Sequence, residues 1–146
     1  MLKIAQLSIS LSAMALLSIT GCGPTGPERA SVSGVVTLNG QAIEQGSITF
    51  LPASGNAGPS VGGVISEGKY DIRKVDGPVL GSARVELRAW KKTGRQIPNP
   101  MSPGATMDEK VEAFDAEFND ESTLLREIVA GHNTLNFELA TGTPKP

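Results

Sequence analysis

The sequence predicts an all-β protein, an antiparallel β-sandwich of about seven short strands. Three observations predict it. Short runs rich in Val, Ile, Thr and Phe alternate apolar and polar positions. Turn signals separate those runs, drawn from 17 Gly and 10 Pro in a chain of 146 residues. No long segment repeats apolar residues at helical spacing, so no helical layer competes for the core.

The chain opens with Lys3, then an apolar stretch over 4–19 diluted by Gln6, Ser8, Ser10, Ser12 and Ser18. That is the layout of an export signal over 1–21. A membrane-spanning helix needs about 20 predominantly apolar residues, and this stretch falls short. Ile19-Thr20-Gly21-Cys22 resembles the bacterial lipobox. The resemblance implies that Cys22 receives a diacylglycerol, that the signal is cut before it, and that its new amino group is acylated with a fatty acid such as palmitate. Several acyl chains on one residue anchor stably, since each buried methylene contributes about 0.8 kcal/mol. The other reading is cleavage after Ala13-Met14-Ala15, giving a secreted protein with a spare thiol. Residue 23 is Gly, whereas an Asp there favours inner-membrane retention in the better-known lipoproteins. The resemblance therefore points to the outer membrane or cell surface. Residues 22–29 hold two Gly-Pro steps, which break regular structure and make a flexible tether.

The domain is expected over 30–140. Residues 31–38 are β-branched, with Val32, Val36 and Leu38 on one face. Asn39-Gly40 supplies the left-handed pair of a tight turn. Residues 46–51 alternate again, and Pro52 stops them. A loop follows, then a short strand over 61–65, turn chemistry at Ser66-Glu67-Gly68-Lys69, and a return strand with Tyr70 and Ile72 on one face. The clearest strand is 83–91: Ala83, Val85, Leu87 and Ala89 lie on one face, Arg84, Glu86, Arg88 and Trp90 on the other. Residues 124–129 and 134–139 flank Gly131-His132-Asn133 and close the domain. The expected core is Val32, Val36, Leu38, Ile43, Ile48, Phe50, Val64, Tyr70, Ile72, Val85, Leu87, Leu124, Ile128, Leu135, Phe137 and Leu139. Arg126 is awkward, because it falls between Leu124 and Ile128 on the core face. Residues 141–146 read as a disordered tail.

One stretch, 91–121, departs from the strand rhythm. Lys91, Lys92 and Arg95 precede Pro98, Pro100 and Pro103, and an acidic run follows from Asp108 to Glu121 with Lys110 as its one base. Thr106 and Glu109 have capping-box spacing, and Val111, Phe114 and Phe118 share a helical face. A helix over 108–118 is one reading; a solvated acidic loop is the other. Loops this long are uncommon unless functional or disordered, so 91–121 is a candidate partner surface, with Trp90, Lys91, Lys92 and Arg95 as its residues.

Gly34-Val35-Val36-Thr37-Leu38-Asn39-Gly40, with Gly46-Ser47-Ile48-Thr49-Phe50 and Pro52, resembles the opening of carboxypeptidase regulatory-like domains, which are transthyretin-like (prealbumin-like) sandwiches. Gly68-Lys69-Tyr70 resembles their second hairpin. Gly81 followed by Arg84-Val85-Glu86-Leu87 resembles their glycine-led strand, with Ala83 where an aromatic is usual. Asn119-Asp120-Glu121-Ser122-Thr123-Leu124 and Gly131-His132-Asn133-Thr134-Leu135-Asn136-Phe137 look like the closing strands of small bacterial lipoproteins with this domain. The resemblance implies a noncatalytic accessory module. Its motifs are turn glycines and strand residues, which specify fold rather than activity.

Composition narrows the chemistry. The net charge of −2 argues against a nucleic-acid binder, which needs a basic surface. One Cys excludes an intramolecular disulfide and a multi-cysteine zinc site. One His and one Tyr cannot supply the several His of transthyretin-like hydroxyisourate hydrolases or the two Tyr and two His of intradiol dioxygenases. His132 reads as a solvated turn residue. Asp115, Glu117, Asp120 and Glu121 could hold Ca²⁺ but lack EF-hand spacing. The expectation is no catalytic residue, no metal and no cofactor. The expected protein is a lipid-anchored cell-envelope module with a binding or structural role, its partner an envelope protein or glycan. The alternative is a carbohydrate- or protein-binding surface adhesin using Trp90 and the 91–121 loop.

Overall fold

The computed structural model describes residues 26–53, 55–140 and 142. The expected signal, Cys22, half of the tether (22–25) and nearly all of the tail lie outside the described residues. Among those described there is no α-helix, and ten strands appear. They are β1 (Ser31–Leu38), β2 (Gln41–Ala42), β3 (Gln45–Pro52), β4 (Val61–Ser66), β5 (Lys69–Ile72), β6 (Gly81–Pro98), β7 (Thr106–Glu112), β8 (Leu125–Ile128), β9 (His132–Thr134) and β10 (Phe137–Leu139). The all-β sandwich predicted from the sequence is therefore the observed architecture.

The hydrogen-bonded path runs β10-β1-β5-β4-β3-β6-β7, with β2 and β9 also on β1 and β8 also on β6. Pairing is antiparallel except where β9 and β10 run parallel to β1. The path folds back on itself at the β4–β5 hairpin, which is tied by the single pair Ser66↔Lys69. Side chains from distant strands meet across the fold. Phe50 of β3 lies 6.3 Å from Tyr70 of β5, and Arg126 of β8 sits 5.0 Å from the Phe137 ring of β10. The guanidinium over that ring is how the core face accommodates Arg126, half-buried at the rim.

The core between the two layers is built from Val32, Val36, Ile48, Phe50, Ile65, Val85, Leu87, Ile128 and Phe137, all fully buried. Each contributes roughly 1.5–3 kcal/mol on burial. Val64 is a correction to the expected core: it is 75% exposed, and Ile65 is buried in its place. The inward face of β4 is Val61-Gly63-Ile65. Gly63 has no side chain to mark that face, and a Cβ there would come within 2.8 Å of Ile72. Leu38, Leu124 and Leu135 are half-buried and pack against the core from its margin.

The stretch 91–121 is also corrected. It does not interrupt the strands. β6 runs on through Trp90 to Pro98, turns across 99–105, and returns as β7. The helix reading over 108–118 fails, because Thr106–Glu112 is extended and only Ala116–Phe118 forms a short 3-10 turn. The resulting two-stranded arm carries no buried residue over 90–112. After Glu112 the chain rejoins the same edge of β6: the Ala113 amide donates to the Ala89 carbonyl at 2.8 Å, and Val85 donates to Leu124 at 2.8 Å. Between these points Phe114 packs edge-on against Phe118 at 6.2 Å.

Strand direction separates the two ends of the sandwich. At one end Ser31 pairs with His132, Val32 with Ile72, and the entering chain bridges Arg29 to Val79. At the other Leu38 pairs with Gln41 and Leu139, and Gly46 with Ala89. The arm leaves from this second end. β1 separates the two ends by roughly 26 Å, at about 3.3 Å per residue.

Candidate functional site

At the root of the arm is a cleft of about 460 Å³. One wall is the β1–β2 hairpin and the link into β3, contributing Leu38, Gln41, Ile43, Glu44 and Gln45. The other is the start of the arm, contributing Trp90, Lys91, Lys92 and Lys110. Asn39 and Gly40 take φ of 52° and 78°, the left-handed pair that a two-residue hairpin requires. That turn reverses the chain so that 41–45 passes beside the end of β6.

Trp90 lies on the face of β6 opposite Ala83, Val85, Leu87 and Ala89, and it is 53% exposed. Its cross-strand partner is Glu112. The Glu112 carboxylate is turned inward: its Oε1 accepts from the backbone amides of Ala89 at 3.0 Å and Ala113 at 3.2 Å. It therefore fixes the junction of arm and body and leaves Trp90 about half exposed.

The lysines are arranged by register. Lys92 and Lys110 stand directly opposite each other. Asp108 engages Lys92 at 2.6 Å and also accepts from the Gln96 amide. The hydrogen bond from Lys92 holds the Asp108 carboxyl below its ordinary value, and the same bond pushes the Lys92 ammonium up. Arg95 pairs with Glu109 at 3.6 Å, and Thr93 donates to the same carboxylate at 2.6 Å. Much of the opposite charge that the sequence places on either side of the prolines is thus paired within the arm. Among the described residues Lys91 and Lys110 have no ion-pair partner.

The structure brings together Trp90, Lys91 and Lys92 of the residues singled out in the sequence, and leaves Arg95 further out on the arm. Lys110, Gln41, Glu44 and Gln45 were missed. Lys110 is masked in the sequence by the acidic run around it. The register opposite Lys92 would have exposed it, had 106–112 been read as a strand.

The remaining candidates lie elsewhere. His132 is exposed at the start of β9, with Nδ1 3.1 Å from Ser31 Oγ and Nε2 3.0 Å from Ser33 Oγ. Asp120 of the acidic run is tied to Arg88. Among the described residues no three His, Cys, Asp or Glu side chains gather as a metal-binding group. No helix there is long and apolar enough to cross a membrane. Compared with family models, curated proteins and solved structures, the chain matches none.

Proposed function

We propose that the chain is a noncatalytic, lipid-anchored module of the bacterial cell envelope that binds a partner through the cleft at the root of its arm. The observation that carries this reading is the polarity of the fold. The tether enters beside Arg29 and Val79, whereas the cleft and the arm occupy the opposite end. A lipid on Cys22 would hold the first end toward the bilayer. The cleft then faces away from it by roughly the length of β1, about 26 Å, and the arm reaches further. The lipobox-like Ile19-Thr20-Gly21-Cys22 and the turn glycines that resemble those of carboxypeptidase regulatory-like domains support the same reading. An exposed indole beside amide and ammonium groups favours a glycan as partner over an apolar peptide, since the ring offers a flat face and the rim offers hydrogen bonds.

The anchor is tested by expression with the chain's own signal in a bacterium supplied with labelled palmitate. The wild type takes up label and partitions into detergent, and Cys22→Ser does neither. Unlabelled wild-type protein free in the medium overturns the anchored reading.

A further inference from the structure

We infer that the cleft is selective for an acidic oligosaccharide, one whose sugar ring stacks on Trp90 while its carboxylate or sulfate is held by Lys91, Lys92 and Lys110. This rests on the reading of the cleft as a binding site and names the ligand class it takes.

Two independent observations point to an anion. The first is the like-charge pair. Lys92 and Lys110 face each other directly across the arm. Like charges directly opposite on a sheet are destabilising. Asp108 sits at this pair: its carboxylate contacts Lys92 and accepts from Gln96, and its charge also acts on Lys110. Lys110 itself makes no ion pair among the described residues, so its ammonium is the group open to an added anion. The second is the local sign of the charge. The whole chain is net negative, yet three lysines line this cleft against Glu44 alone among its lining residues, with Asp108 paired to Lys92 beside it.

The ring-binding half follows from Trp90. It lines the cleft at 53% exposure, and Glu112 opposite it is committed to backbone amides. Gln41 and Gln45 on the facing wall carry amide donors and acceptors suited to sugar hydroxyls. A simple inorganic anion would use the lysines and leave the indole idle. A neutral sugar would use the indole and leave the lysines idle.

Trp90 is the only Trp in the chain, so its fluorescence reports on this site alone. The full chain is titrated with tetragalacturonate, with a heparin tetrasaccharide, with neutral cellotetraose and with inorganic phosphate. The expected result is a saturable change in Trp90 emission with at least one acidic tetrasaccharide, which identifies carboxylate or sulfate as the preferred group. Affinity should fall about fivefold or more between roughly 0.05 M and 0.5 M salt, because screening of exposed charges is nearly complete at the higher value.

Lys110→Gln separates a ligand role from a structural one. It should weaken acidic-oligosaccharide binding several-fold. In the free protein it should leave hydrogen exchange of the arm amides within about twofold of the wild type, since Lys110 makes no ion pair within the arm. Lys110→Arg should retain binding. If cellotetraose binds as tightly as the acidic sugars, or salt has no effect, the acidic selectivity is wrong and the general binding reading stands. If phosphate displaces the acidic sugars with no change in emission, the site takes an anion without a ring, and the inference falls. If no probe binds while cross-links to the envelope through the arm persist, the inference falls and the partner is a protein. If the cross-links are also absent, the binding reading falls with it.

Discussion

Gly34→Ala is the most informative single perturbation of the fold. Gly34 lies in β1 opposite Tyr70 of β5. Its backbone is ordinary extended strand, so the effect of a methyl group is steric. A Cβ there would stand 1.9 Å from the Leu135 carbonyl oxygen, 2.7 Å from its carbon and 3.1 Å from Tyr70 Cε1. Reaching a normal contact requires the carbonyl to retreat by about 1.5 Å. That oxygen accepts the Tyr70 hydroxyl at 2.7 Å, and the Leu135 amide donates to Ser33 at 2.9 Å. A retreat of that size breaks the first bond and strains the second. Tyr70 is 3% exposed, so its hydroxyl would be left without water.

An unsatisfied buried donor costs about 1–3 kcal/mol, and a displaced backbone hydrogen bond about 1 kcal/mol more. The expected loss is therefore roughly 2–4 kcal/mol, a large share of the 5–15 kcal/mol typical of a domain. Urea unfolding of chain 23–146, made without the lipid-bearing cysteine, measures it. The midpoint should fall by roughly 1–3 M with an unchanged slope. Tyr70→Phe removes the same hydrogen bond without moving the backbone. In that background Gly34→Ala should cost about 1 kcal/mol less than it does alone, because the two changes share one bond. A Gly34→Ala loss under about 0.5 kcal/mol, or strict additivity with Tyr70→Phe, refutes the argument that Gly34 exists to admit the Leu135 carbonyl.

Three further outcomes follow from the structure. Burial pushes the Tyr70 phenol well above its ordinary value, and the nearby Arg126 charge only partly opposes this. Folding therefore holds the proton, so stability is full below about pH 10 and declines above it; phenolate absorbance, from the only Tyr, should appear together with unfolding rather than before it. The Asp108 carboxyl is held low by Lys92, so its support of the arm is present above the unfolded value near pH 3.9 and is lost as pH falls through the depressed one. Protection of the amides in 92–108, taken against the intrinsic exchange rate at each pH, should fall on acidification while the sandwich stays protected, and Asp108→Asn should lower it equally at neutral pH. Replacing 93–108 with a short Gly/Ser link removes no buried residue, so the thermal midpoint should move by less than about 4 °C, the shift that 1 kcal/mol produces in a domain of this size, and cross-linking to envelope components should drop. An unfolded product, or undiminished cross-links, means the arm is structural or idle.

The body of the fold was legible because one face of each strand is buried. Ala83, Val85, Leu87 and Ala89 alternate with Arg84, Glu86, Arg88 and Trp90, and all four of the first set are buried. Asn39-Gly40 reads as a hairpin and is one. Where the inward face includes a glycine, the reading slips by one residue, as at Val64 and Ile65. The closing segment splits into β9 and β10 because Asn136 turns aside, its Oδ1 accepting the Val35 amide at 3.0 Å in place of a backbone partner. Apolar periodicity carries no sign of such a side-chain substitute.

The arm escaped detection for a different reason. Periodicity detects burial, and a strand with two solvated faces leaves no apolar alternation to read. Past Trp90 the sequence looks like a loop because it is polar and proline-bearing, but Pro98 ends β6 and Pro100 and Pro103 fall within the turn, where a missing N–H breaks no ladder. What does mark these strands is charge complementarity across the turn. Lys92 meets Asp108 and Arg95 meets Glu109, the earlier basic cluster facing the later acidic one about a turn centred near residue 101. Read as a pairing rule rather than as composition, that reversal of charge across three prolines predicts a hairpin. It also leaves Lys91 and Lys110 over once Lys92 and Arg95 are matched. Both of these line the cleft beside Trp90, together with the paired Lys92.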